Sequence, residues 1–483
     1  MSEGSLVETL EEQFIAAFPH LPTPGQGELI HAFARFVFSG KPRCGLIVRG
    51  YAGTGKTTSI GAFVRVLTEW NVPVVLLAPT GRAAKVMQAY AGLEASTIHR
   101  AIYFPAKTRD GSPGQALAPN LRRRAIFIVD EASMIGEGGV RGSGDFEYRS
   151  LLDDLMEYVF SGEGCRLVLV GDDAQLPPVG AEESPALQLT RLQREFALTA
   201  ASVRLTDVVR QELDSAILLN AHHLRLQVDA DQTGFPHLHP GRGLIRLGGE
   251  DLQETLEDLY GRYGEEGVVV ITRSNKRANL FNQQIRTRIL WQEDDLTGGD
   301  RLMVVRNNYH WLAGNDQIPS TLIANGDTLE VVRIVRRFER YGAQFADAEV
   351  RMPDLPDHDP FEVTIHLTLL HSDLPSIPFA EMQALFEAIA EDHIDLGSKA
   401  RIRRAVQADP CYQALQVKFA WSLTCHKAQG GQWPAVVVDQ GYLTEEMLDR
   451  SLLRWFYTAF TRAQEELYLL NFSDEFFEQE NRD

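Results

Sequence analysis

Cysteine is scarce in this chain: Cys44, Cys165, Cys411 and Cys425 are the only four in 483 residues, and no two form a Cys-x-x-Cys pair. That excludes a disulfide framework or a cysteine-built zinc site as the organising device, and a reducing cytoplasm is expected. Long hydrophobic runs are missing as well. None reaches the ~18–20 residues that a membrane span needs, so no membrane association is expected. The opening residues Met-Ser-Glu-Gly-Ser-Leu-Val-Glu-Thr lack the basic region of a secretion signal. Positive charge is in deficit, with 47 Lys and Arg against 66 Asp and Glu and a formal net charge of −19. A field of that sign repels a polyanion over the whole surface, so any nucleic-acid contact must come from a groove of different local character. Internal repeats and low-complexity tracts are absent. The histidines at His222-His223 and His237-Leu238-His239 lack regular metal spacing and cysteine neighbours, and are expected to be structural.

What is present describes a globular protein of two to four domains: 44% of residues are hydrophobic and 23% charged. Short apolar runs recur, each followed by a polar cluster and a helical pattern. Leu46-Ile47-Val48 precedes a glycine loop, Val74–Ala78 precedes Pro79-Thr80-Gly81-Arg82, Ile126–Val129 precedes Asp130-Glu131, and Leu167–Val170 precedes Gly171-Asp172-Asp173. Continuous apolar runs bounded by turn residues suit strands of a parallel sheet buried on both faces. The expected fold is therefore doubly wound α/β, with ligands at the carboxyl edge of the strands. A second set, Val268–Ile271, Ala435–Val438 and Leu467–Leu470, predicts a second α/β unit. It is interrupted between about 300 and 415 by β-type stretches at Asp327–Val335 and Glu362–Leu370 and a helical stretch near Phe379–Glu391. A smaller insertion between Tyr103 and Arg124 carries a Gly-Ser-Pro-Gly turn at 111–114.

The glycine loop reads Gly50-Tyr-Ala-Gly53-Thr54-Gly55-Lys56-Thr57-Thr58. This spacing lets backbone N–H groups turn inward around phosphate oxygens, with the Lys56 ammonium on the β and γ phosphates and the Thr57 hydroxyl on Mg²⁺. Asp130 is expected to hold the same ion and Glu131 to polarise an attacking water. Taken alone, Asp130-Glu131 could equally cap the helix that follows.

Further blocks occur in a fixed order: Thr23-Pro24-Gly25-Gln26, Ala78–Lys85, Ser96–His99, Asp130–Met134, Gly171–Pro178, Leu205–Gln211, Thr424–Gln432 and Tyr457–Ala463. Together with the loop they resemble the superfamily 1 DNA helicases, most closely the RecD/Dda-like branch, over residues 26 to 463. The resemblance implies two RecA-like P-loop NTPase cores, with a hairpin insertion in the first and a β-rich SH3-like insertion in the second. The boundaries it suggests are 1–195 for the first core (hairpin about 103–124), 196–300 plus 416–483 for the second, and 301–415 for the insertion. It implies ATP and Mg²⁺ as cofactors, Gln26 as the reader of the adenine edge, and Gln175 as the γ-phosphate sensor. Arg210 and Arg462 become arginines pointed into the cleft by the second core.

In the same family Thr80, Thr97, His99, Thr424 and His426 match positions that contact single-stranded DNA. Hydroxyl and backbone contacts of that kind carry no base code. Helix capping or core packing is the plain alternative for each. The arginine runs at Arg122–Arg124, Arg333–Arg340 and Lys399–Arg404 stand out against the acidic background as candidate strand contacts, although such runs are usually solvated faces. The resemblance implies a monomeric ATP-dependent helicase or translocase on single-stranded DNA and duplex junctions, moving 5′ to 3′, with single-stranded DNA-binding or replication and repair proteins as candidate partners. Two other readings stay open: a superfamily 1 enzyme acting on RNA, and a nucleic-acid-binding scaffold with weak ATPase.

Overall fold

The four apolar runs nearest the N-terminus lie side by side in one sheet. Its strands run in the order Ala95–Thr97, Val74–Ala78, Ile126–Val129, Arg166–Gly171, Cys44–Gly50 and Thr199–Leu205, and every pairing is parallel. A computed structural model describes residues 3–107, 113–137, 150–207, 215–312, 322–353, 355 and 358–477. The unbroken apolar runs are explained by two buried faces. Leu46, Val48, Ile126 and Ile128 point into a cluster with Phe14, Phe33 and Phe63, while Ile47, Phe127 and Val129 point into one with Leu152, Leu155 and Ile98. Successive side chains of a strand face opposite ways, so a strand covered on both sides has no polar position to alternate with.

The second set of runs builds a five-stranded sheet in the order Ser422–Thr424, Val268–Thr272, Trp433–Asp439, Ala463–Leu470 and Leu244–Leu247, again parallel throughout. Val269 and Ile271 face the helices Ala216–Asp229 and Arg450–Phe460, whereas Val268 and Val270 face the opposite cluster. That second cluster is shared with an antiparallel sheet of five strands, ordered Phe361–His366, Ala343–Arg351, Thr328–Arg340, Arg301–Val304 and Val417–Phe419. The α/β class with two parallel sheets and a β-rich insertion is borne out.

Local details differ from expectation. Thr199–Leu205 pairs with Cys44–Gly50, so the first sheet continues past residue 195. Val417–Phe419 closes the antiparallel sheet, which therefore extends beyond 415. The Glu362–Leu370 stretch is strand only to His366, whose side chain caps the short helix Leu367–Leu370. Between Tyr103 and Arg124, Tyr103–Lys107 pairs antiparallel with Pro113–Leu117, and the Gly111-Ser112 half of the expected turn lies outside the described residues. The arginines of 333–340 do not form a free basic face: Arg336 reaches Asp347 at 2.6 Å, Arg340 reaches Asp392 at 3.0 Å, and Arg333 pairs with Glu349. Acids across the sheet and on the neighbouring helix compensate the run.

One buried ion pair ties the second parallel sheet to the insertion. Arg286 follows the helix Asn275–Gln284 and donates Nε to Asp300 Oδ1 and Nη2 to Asp300 Oδ2, both at 2.8 Å, with its guanidinium 4.3 Å above the Phe419 ring. Both side chains are buried. Removing one partner of such a pair strands the other charge, so Arg286→Ala should destabilise by about 3–5 kcal/mol, read as a lower urea midpoint. A midpoint unchanged from the parent would contradict this. All four cysteines are buried and free, and among the described residues no helix is long and apolar enough to cross a membrane.

Candidate active site

The glycine loop leaves the carboxyl end of Cys44–Gly50 and enters the helix Lys56–Glu69. Gly53 and Gly55 sit at φ +73° and +79°, the left-handed region in which a side chain is strained, and this curls the loop. Gly50 has a different reason: a Cβ there would stand 2.9 Å from Lys56 Cγ and from Thr54 Oγ1. Lys56 Nζ donates to the carbonyls of Gly50 at 2.6 Å and Tyr51 at 2.9 Å, and lies 3.8 Å from Asp172 Oδ2. Thr54 is buried and its hydroxyl donates to Tyr51 O, while Thr57 is exposed and Thr58 half-buried at the head of the helix. Gln26 is fully buried behind the loop; its Nε2 donates to Thr54 O at 3.2 Å and its Oε1 accepts from Thr23 N–H at 3.0 Å. It thus completes a capping box and props the loop with the same amide.

Acids converge from the neighbouring strands. Asp130 Oδ2 accepts from the Tyr90 hydroxyl at 2.6 Å and Oδ1 from the Glu131 N–H at 2.8 Å. Tyr90 lies on the helix Gly81–Ala91 and was not singled out by sequence, since only packing brings it to Asp130. Glu131 is held at φ +50°, unusual for a side-chain-bearing residue, at the turn that follows Asp130. Desolvation raises its pKa, opposed by the Arg462 and Lys56 cations. Asp172 is buried, and burial raises its pKa too, against the pull of Lys56 and a hydrogen bond from Tyr457. Gln175 is 5% exposed, and its Oε1 has no hydrogen-bond partner among the described residues. A buried acceptor of this kind calls for a ligand or water to satisfy it. The Thr57 hydroxyl and the Asp130 carboxylate are hard oxygen donors of the type Mg²⁺ takes beside phosphate and water.

The other wall comes from the second parallel sheet. Arg462 follows the helix Arg450–Phe460 and is 3% exposed. Its Nε donates to Thr458 O at 3.0 Å, Nη1 to Gly431 O at 3.1 Å and Nη2 to Thr461 Oγ1 at 3.1 Å. The fork held this way stands 4.0 Å from Glu131 Oε1. Lys56, Asp130, Glu131, Asp172 and Arg462 are therefore gathered in one cleft from two sheets, and Gln175 follows Asp172 by three residues. Arg210 lies outside the described residues.

Residues 24–234 match the family described as AAA domain, and residues 419–470 match the family described as UvrD-like helicase C-terminal domain. These segments carry the loop with its acids and the Arg462 wall, respectively. The ATP-dependent RecD2 DNA helicase of Deinococcus radiodurans is 28% identical over 299 residues, 59% of this chain and 37% of that protein. The ATP-dependent DNA helicase dda of Enterobacteria phage T4 is 30% identical over 305 residues, 60% of this chain and 62% of that protein. Both segments of the chain are thus similar to helicases that share these motifs. The chain spans less than two thirds of the length of either relative. Pif1 helicase from Bacteroides, solved with ADP-AlF3 and ssDNA, aligns over 95% of both chains at 14% identity and a TM-score of 0.46.

The five candidate strand residues sit at carboxyl edges. The Thr80 and Thr97 hydroxyls cap their helices, accepting from Ala83 and Arg100 N–H, each at 3.2 Å. Thr424 ends a strand of the second sheet and makes no capping bond; His426 beside it is exposed. His99 is half-buried with its ring 5.7 Å from Tyr103, and burial lowers its pKa. Three units meet at Thr80: a Cβ at Gly430 would lie 3.2 Å from its Oγ1, and one at Gly326 in the insertion 3.7 Å from its Cβ. Arg100 also reaches Asp327 of the insertion at 2.8 Å. Trp433 is buried, with the Arg82 guanidinium 4.3 Å over its ring, so it joins the two sheets' units instead of facing a strand. Sequence reasoning passed over Arg100, Asp327 and Tyr457, whose partners are remote along the chain.

Proposed function

We propose that the chain is an ATP-dependent motor that moves 5′ to 3′ along single-stranded DNA and unwinds duplex ahead of it. The observation that carries this reading is the split site: Arg462 of one parallel sheet's unit stands 4.0 Å from Glu131 of the other. A nucleotide held there bridges two bodies, so binding draws them together and hydrolysis lets them part. In this reading the first core is built on the sheet containing the glycine loop, the second on the sheet preceding Arg462, and the antiparallel module inserts into the second.

ATP lies along Gly53–Thr58 with Lys56 on its β and γ phosphates. Thr57 and Asp130 hold Mg²⁺, Glu131 polarises the attacking water, and Gln175 senses the γ-phosphate. Arg462 and Arg210 neutralise charge developing in transfer. Gln26 reads the adenine edge with the N–H and lone pair its present bonds leave spare. Thr80, Thr97, His99, Thr424 and His426 line the strand path where three units meet. The motor works as a cytoplasmic monomer beside single-stranded DNA-binding or replication and repair proteins.

Unwinding tests the assignment directly. Duplex DNA with only a 5′ single-stranded tail should be opened in an ATP-dependent reaction, and duplex with only a 3′ tail should not. Opening from the 3′ tail alone overturns the polarity. ATPase stimulation by RNA exceeding that by DNA redirects the substrate to RNA, and the absence of strand-stimulated hydrolysis removes the motor.

A further inference from the structure

Resting on the motor reading, we infer that Tyr457 is a positioning residue that makes hydrolysis conditional on contact between the two cores. Its side chain crosses the cleft. The hydroxyl accepts a hydrogen bond from Ala52 N–H in the glycine loop at 2.8 Å and donates to Asp172 Oδ2 at 2.5 Å. The same carboxylate oxygen lies 3.8 Å from Lys56 Nζ. One second-core hydroxyl thus touches the phosphate loop through its backbone and the phosphate-binding lysine through an acid. The residue is 1% exposed and its ring packs in a cluster made mostly of second-core side chains, so the hydroxyl is aimed by a buried base.

The next residue repeats the arrangement on the sensor segment. Thr458 Oγ1 accepts from Leu176 N–H at 2.8 Å, and Gln429 Nε2 donates to Leu176 O at 2.7 Å. The peptide groups immediately after Gln175 are held at both their donor and their acceptor by the second core. Tyr457 and Thr458 sit on the last turn of the helix Arg450–Phe460, which leads directly to Arg462. A shift of that helix therefore moves the loop contact, the Asp172 contact, the Gln175 segment and the arginine together. When the cores separate, Asp172 loses the Tyr457 hydroxyl, and besides the Ala174 N–H the donor left to it beside the cleft is Lys56. The ammonium is then drawn onto the acid and away from the position it needs on a phosphate.

Tyr457→Phe keeps the buried ring and removes only the hydroxyl, and Asp172→Asn keeps the shape of its partner without the charge. With saturating single-stranded DNA, Tyr457→Phe should lower kcat for ATP by about 10- to 100-fold, the size expected from losing a hydrogen bond to a buried charge. KM for ATP should stay within about threefold of the parent, and the melting temperature should move little. Adding Asp172→Asn to Tyr457→Phe should cost much less than the product of the separate effects, because both remove one linkage. A parent-like kcat in Tyr457→Phe, or multiplicative effects in the pair, overturns the inference. A parent protein without strand-stimulated ATPase overturns the motor reading instead, so the two failures are distinct.

Discussion

Lys56→Ala should abolish ATP hydrolysis and leave the chain folded. Its ammonium is the only cation that the loop itself contributes, and it already lies on two loop carbonyls and 3.8 Å from Asp172. In the proposed reaction its role is to stabilise charge on the β and γ phosphates, and losing one such preorganised donor costs at least about 10²–10³ in kcat. The structural cost is small for two reasons. The Tyr51 carbonyl keeps the Thr54 hydroxyl and N–H as local donors, and the lysine side chain is 18% exposed, so no large cavity opens. Asp172 keeps the Tyr457 hydroxyl and the Ala174 N–H. Its pKa, already raised by burial, rises further once the Lys56 cation is gone, which eases the cost of leaving that carboxyl without a cationic neighbour. Phosphate release with saturating single-stranded DNA measures the first effect and a circular dichroism melt the second. Substantial turnover in a folded Lys56→Ala protein would falsify the assignment of the loop as the phosphate cradle.

The reach of the sequence followed the range of the interactions. Ile126–Val129 could be read as a two-sided buried strand because all four residues face apolar clusters, and that constraint is written in consecutive letters. Thr199–Leu205 could not, because it is an edge strand whose residues are mostly exposed and leave no apolar run. The glycine loop is equally local, since its positive φ values and the close packing at Gly50 each demand glycine at a fixed spacing. Tyr457, by contrast, is one more aromatic in a buried helix until the fold sets its hydroxyl against Asp172, 285 positions earlier in the chain. The arginines of 333–340 illustrate the opposite error: a run that looks basic in sequence is neutralised by Asp347, Glu349 and Asp392 once the strands pair. Arg462 was legible only through family resemblance, because a single arginine has no periodicity to betray it.

Arg462→Ala should bind ATP with near-parental affinity and hydrolyse it about 10³–10⁵-fold more slowly, the range seen when an arginine finger is withdrawn. Binding survives because no contact of Arg462 goes to the glycine loop; its donors are spent on Thr458 O, Gly431 O and Thr461 Oγ1, and its free edge faces Glu131. Arg462→Lys should not rescue turnover, since a single ammonium cannot satisfy three separated acceptors and still face the acid. The loss of those buried acceptors' partner should cost about 1–3 kcal/mol of stability, visible as a lower melting temperature in a protein that remains folded. The pH profile adds an independent sign. In the proposed role Glu131 works as a carboxylate; its pKa is raised by desolvation, and the Arg462 cation is the largest influence holding it down. Activity is therefore lost as pH falls through that raised pKa, and removing the cation moves the loss to higher pH. The acid limb of kcat in Arg462→Ala should lie at higher pH than in the parent, measured with single-stranded DNA and ATP both saturating. A limb that stays in place, with turnover unchanged, takes Arg462 out of the site and leaves it as a strut between Thr458 and Gly431.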